Sequence, residues 1–149
     1  MSGDRDRLLA AIELSRACPR TLTAYAVGAI VVGPDGAELA RGYSRESDPL
    51  DHAEEAALAK LPGVDLRRAT MYTSLEPCTA RRSRPRTCTG MILAAGVGRV
   101  VFALREPPLF ADCHGARTLR AAGVDVVELN DLGYLVRQVN AHLFERSRW

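Results

Sequence analysis

Between residues 69 and 129, short apolar runs of strand type alternate with helical segments that end on glycine. "ATMYTSL" (69–75), "RVVFAL" (99–104) and "VDVVEL" (124–129) read as strands. "TCTGMILAAG" (87–96) and "GARTLRAAG" (115–123) read as helices stopped by Gly96 and Gly123. A strand that returns to the same sheet through a helix lies parallel to its predecessor, and the crossover is right-handed. Upstream, "AVGAIVV" (26–32) and "AELARGY" (37–43) flank the turn "GPDG" (33–36) and predict a β-hairpin. Helices are predicted over 5–17, over 52–61 before Pro62-Gly63, and over 132–146 as one terminal amphipathic helix. Five strands, one antiparallel hairpin and parallel crossovers make an α/β fold: a five-stranded mixed sheet in a three-layer α/β/α sandwich. The chain has 149 residues, the size of one domain, and shows no linker or repeat, so 1–149 is read as a single domain.

The chemistry concentrates where these elements begin. His52 and Glu54 open a helix in "DHAEE", and Cys78 follows Pro77 just after a strand. Cys88 opens the next apolar helix. Proline suits a first helical turn, and the positive end of a helix favours thiolate over thiol. One imidazole and two thiolates make a three-ligand zinc set with an open fourth position, the arrangement of catalytic zinc. Water in that position becomes acidic, with a pKa near ~7. Glu54 is then the proton carrier between water and a leaving amine. The order H-x-E, then P-C and a second Cys, is the pattern of zinc deaminases. Taken singly, each piece has an ordinary structural explanation. "HAE" is a common tripeptide, and cysteines after strands are usually buried thiols. A structural zinc completed by Cys113 or His114 is the competing arrangement, although a structural site needs no free carboxylate. Cys18 is read as a packing thiol.

Bulk composition excludes several classes. The net charge is +2, which lacks the basic footprint of a nucleic-acid binder. Lys60 is the single lysine among 20 basic residues, a bias that runs through the whole chain. The N-terminus mixes acids with arginines and has no apolar core of signal type, and no run reaches membrane-spanning length. A cytoplasmic location with reduced thiols is expected.

With the ligands placed, the chain resembles the cytidine-deaminase-like superfamily, and within it the pyrimidine deaminases of riboflavin biosynthesis. The likeness runs from about residue 22 to 130. It includes "AYAVGAIVV", "GYSRE", "HAEEAAL", "TMYTSLEPC", "AAGVGRVVFALREP" and "LRAAGVDVVEL". The first two, with "EPC", look most like the fungal deaminase domain. The resemblance implies a cytidine-deaminase-like fold and a zinc-dependent hydrolase that releases ammonia from an aminopyrimidine. The expected substrate is a phosphorylated ribosylamino- or ribitylamino-diaminopyrimidine. A homodimer is implied too. Deamination of a free base, a nucleoside or a base in RNA is the alternative activity, and a zinc-stabilised binding protein the alternative class.

Nine residues separate Cys78 from Cys88, and the family carries a comparable insertion there. Here it holds Arg81, Arg82, Arg84 and Arg86. Guanidinium forks match phosphate oxygens, so the loop is expected to clamp a substrate phosphate. Further substrate contacts are expected from Tyr25, Gly28, Ala53 and His114. Two departures touch substrate recognition. Ala24-Tyr25-Ala26 stands where bacterial relatives usually have an asparagine, and "TARRSRPRT" replaces a histidine- and glycine-containing loop.

Overall fold

The computed structural model describes residues 3–81, 84–107 and 113–146. Helix α1 (Gly3–Leu14) ends in a short 3₁₀ turn, Ser15–Ala17. The hairpin β1 (Gly28–Val32) and β2 (Glu38–Tyr43) follows, then α2 (Ala53–Leu58), β3 (Thr70–Leu75), α3 (Cys88–Ala95) and β4 (Arg99–Leu104). The chain closes with α4 (Gly115–Ala121), β5 (Asp125–Glu128), a 3₁₀ turn at Asn130–Leu132, α5 (Gly133–Val139) and α6 (Ala141–Arg146).

The sheet order is β2-β1-β3-β4-β5. β1 is antiparallel to both β2 and β3, whereas β3, β4 and β5 run parallel. This is the expected five-stranded mixed sheet. Two glycines show how tightly the helices lie on it. A Cβ on Gly28 would stand 2.1 Å from the Ala11 carbonyl oxygen in α1. One on Gly42 would stand 2.5 Å from the Ala57 nitrogen in α2. Gly42 pairs with Ala29, the residue beside Gly28. Neighbours on a strand face opposite ways, so α1 and α2 cover opposite faces. α2 packs also on α3, and α3 on α4. The core fills both gaps: Met71, Val100, Val101, Phe102 and Leu119 are fully buried.

The terminal helix is not the single rod that its apolar pattern predicts. It breaks at Asn140, between α5 and α6. Asn140 is buried, and its Oδ1 accepts from the Ala26 amide at 2.7 Å. Its Nδ2 donates to the carbonyls of Ala26 and Val136, each at 3.1 Å. The side chain thus satisfies the backbone leading into β1, and the helix yields at that point.

Candidate zinc-dependent active site

Parallel β3 and β4 present their C-terminal ends together, and open α/β sheets place ligand sites at such edges. Glu76, Pro77 and Cys78 leave β3 there. The buried Glu76 carboxylate accepts from the Glu106 amide at 3.2 Å and from the Ala116 amide at 3.0 Å. It therefore ties the exits of β3 and β4 to the start of α4.

Cys88 is the first residue of α3, capped by Thr87, whose Oγ1 accepts from the Gly90 amide at 3.1 Å. The exposed amides of that helix end turn onto the Cys78 segment. The Cys88 amide donates to Cys78 Sγ at 3.2 Å and the Thr89 amide to the Cys78 carbonyl at 3.1 Å. His52, the residue that starts α2, lies across from both thiols. Its Nδ1 is 3.2 Å from Cys88 Sγ and 3.6 Å from Cys78 Sγ.

The three donor atoms lie within 4.8 Å of one another. Donors on a common tetrahedral zinc, with bonds of about 2.0 and 2.3 Å, stand about 3.5 Å apart. The imidazole–thiol separations match that figure, so His52, Cys78 and Cys88 fit zinc. Among the described residues they form the one such cluster. Cys113 stays outside it: its Sγ donates to the Pro77 carbonyl at 3.1 Å, and burial raises its pKa.

The charges follow from this crowding. The Cys78 thiol is pulled down to about 4, first by a hydrogen bond from Cys88 and then by His52. Cys88 is pushed up, by the same hydrogen bond and by burial. Glu54 is 4% exposed and is raised to about 7, first by burial and then by the neighbouring Cys78. A hydrogen bond from Thr73 opposes that rise. A carboxyl balanced near neutrality suits a group that must both take and give a proton.

The expected substrate residues fare differently. Ala53 is fully buried in the first turn of α2. Tyr25 is buried and donates from its hydroxyl to the Pro107 carbonyl at 2.8 Å. Gly28 is a packing glycine, since the space a side chain would need is filled by α1. His114 is exposed, and its amide donates to Thr79 Oγ1 at 3.1 Å, one residue past Cys78. Arg82 lies outside the described residues. Arg86 is exposed and lines a groove of about 590 Å³ between α2 and α3. Arg81 and Arg84 are turned onto the acids around α2. The Arg81 side chain is only 2% exposed and meets Glu55 at 3.2 Å. Arg84 meets Glu55 at 2.8 Å and Asp51 at 3.0 Å. Among the described arginines of the loop, Arg81 and Arg84 are thus engaged by carboxylates, and Arg86 is exposed. The loop's charges meet carboxylates that sequence spacing could not place beside them.

Two residues were missed in the sequence. Glu76 stands in "EPC", where spacing alone does not show the two backbone amides its carboxylate accepts from. Glu106 is half-buried at the exit of β4 and is raised to about 7, chiefly by burial, with Cys78 and Glu54 adding. An acid placed two residues after a parallel strand was the available signal for it.

Known proteins share the sequence pattern and the fold. The profile of the cytidine and deoxycytidylate deaminase zinc-binding region matches residues 1–104. The chain is 37% identical over 125 residues to the diaminohydroxyphosphoribosylamino-pyrimidine deaminase of Schizosaccharomyces pombe, covering 81% of this chain and 31% of that protein. The chain spans between a quarter and a third of the length of this relative and of the RibD proteins of Escherichia coli and Aquifex aeolicus that it also matches. The Aspergillus oryzae Rib2 deaminase in complex with DARIPP superposes with a TM-score of 0.81 at 26% identity, over 93% of this chain and 90% of that one. The diaminohydroxyphosphoribosylaminopyrimidine deaminase/5-amino-6-(5-phosphoribosylamino)uracil reductase of Thermotoga maritima superposes at 0.78 with 32% identity, over 92% and 39%. Fold, ligand cluster and sequence agree: the chain belongs to the zinc-binding cytidine and deoxycytidylate deaminase family, next to the deaminase domains of riboflavin biosynthesis.

Proposed function

We propose that the protein hydrolytically deaminates a phosphorylated ribosylamino- or ribitylamino-diaminopyrimidine in riboflavin biosynthesis. The observation that carries this reading is the His52–Cys78–Cys88 cluster with a buried carboxyl, Glu54, beside it. The similarity to the fission-yeast enzyme and to the fungal DARIPP complex supports the substrate class. Zinc, when held by His52, Cys78 and Cys88, supplies a Lewis acid that acidifies water. Glu54 takes the proton as the water oxygen bonds to the amine-bearing ring carbon. It delivers that proton to the adjacent ring nitrogen and then moves the remaining hydroxyl proton to the exocyclic nitrogen; the C–N bond breaks, and ammonia leaves a ring carbonyl behind. Burial of Glu54 keeps bulk water from competing for the proton.

Phosphate recognition is assigned to two exposed groups, Arg86 of the loop and His114 at the start of α4, rather than to the engaged Arg81 and Arg84. An ammonia-release assay on a panel of aminopyrimidines, with and without the sugar phosphate, tests the reading. The phosphorylated diaminopyrimidine should be the best substrate. Arg86→Ala should raise its KM about tenfold, the loss of one charge-assisted hydrogen bond, and leave the dephosphorylated compound unaffected. Preference for a free base or nucleoside would overturn the assignment.

A homodimer is part of the same proposal. Its support is exposed Leu93 on α3 and exposed Val64, which lines a groove with Met91 and Ala94 of the same helix. Light scattering should report two chains per particle; a monomer at assay concentration removes it. A cytosolic location is likewise proposed, and no described helix is long and apolar enough to cross a membrane.

A further inference from the structure

The loop between the two thiols is longer than a zinc site requires, and it reaches the histidine's helix through charge. Glu55 stands at the junction. Its Oε1 accepts from the His52 amide at 3.3 Å and from Arg81 Nη2 at 3.2 Å. Its Oε2 faces Arg84 Nη1 at 2.8 Å. Arg81 also donates to the Leu50 carbonyl at 2.8 Å and to the Arg86 carbonyl at 3.2 Å. Arg84 reaches Asp51 at 3.0 Å and Asp48 at 3.2 Å. Two guanidiniums from one loop thus engage the whole segment from Asp48 to Glu55, and His52 lies inside that segment.

We propose that Glu55, Arg81 and Arg84 are positioning residues. They lock the loop between Cys78 and Cys88 onto the first turn of α2 and so hold His52 within ligand distance of both thiols. The inference rests on the zinc reading of the site. Three physical points support it. The Arg81 guanidinium is almost fully buried, and a buried charge is tolerated only with partners. A carboxylate with both oxygens in use has little freedom, so its contacts to the His52 amide and to the loop are one rigid unit. Finally, the ligands come from separate segments, and the loop's attachment to α2 adds to the packing of α2 on the sheet and on α3 in bringing His52 to the cysteine pair. The loop arginines therefore serve the metal before any substrate arrives.

Zinc affinity measured by competition with a chromogenic chelator tests this, on purified wild type, Glu55→Gln, Arg84→Gln and the double variant. Wild type should bind one zinc per chain. Each single variant should bind it about 10- to 100-fold more weakly, the range for partners that orient ligands. The double variant should be no weaker than the weaker single, because both act through one contact. Arg84→Lys, which keeps a charge, should recover part of the loss. Far-ultraviolet circular dichroism of the zinc-loaded forms should be unchanged. Single variants with wild-type zinc affinity, or fully additive losses, overturn the proposal. Should Glu55→Gln fail to fold, Arg84→Gln, with a side chain 27% exposed, decides the matter alone. A wild type that binds no zinc overturns the zinc reading, and this inference with it.

Discussion

Glu54 and Glu55 are adjacent acids with opposite fates. Glu54 turns inward, is buried, and is raised to about 7. Glu55 faces two guanidiniums and, despite its partial burial, stays below the ordinary carboxylate value. A single residue step separates a proton carrier from an anchor, because successive residues of a helix point about 100° apart. Glu54→Gln should lower kcat by at least 10²- to 10⁴-fold, the contribution of a general acid–base group. The amide keeps the shape and cannot shuttle a proton, so bound zinc should remain at one per chain by elemental analysis. Activity near wild type in the zinc-loaded variant would show that another group carries the proton.

Among the elements, the break between α5 and α6 has the clearest cause. Asn140 serves Ala26 as a neighbouring strand would, with one acceptor and one donor. Replacing it with alanine strands the Ala26 amide and carbonyl in a buried place. Each buried polar group left unpaired costs about 1–3 kcal/mol. Asn140→Ala should therefore lower the urea midpoint by more than an ordinary helix substitution does. A midpoint equal to wild type would mean that the side chain is not what holds the strand entrance.

For the whole molecule, Asp4 ties one helix to two neighbouring strands of the sheet. From the first turn of α1 it accepts from Arg99 Nη1 of β4 at 2.7 Å and from the Tyr72 hydroxyl of β3 at 2.7 Å. The Arg99 hydrogen bond holds its carboxyl below the ordinary value. A carboxylate with a lowered folded pKa stabilises the fold above its unfolded pKa of about 3.9. That stabilisation is lost as the pH falls through the folded value. Both side chains are about a third exposed, so solvent screening keeps the effect under about 1 kcal/mol. Asp4→Asn should be slightly less stable than wild type at pH 7, and the gap should close below about pH 4. A gap that is constant across that range would assign the loss to packing instead.

The periodicity of the chain determined its elements and its fold class, because alternation at two residues and at 3.6 residues is a local property. It also determined the metal chemistry, because imidazole, thiolate and carboxylate at element starts are few enough to read directly. Tertiary structure decided the rest. Asn140 looks like one more polar residue on an amphipathic helix until Ala26, 114 positions away, is packed against it. Arg81 and Arg84 read as loop charges facing solvent until Asp51 and Glu55 stand beside them. Charge interactions depend on distance in space, and only the folded sheet brings the loop at 81–86 to the helix at 53–58.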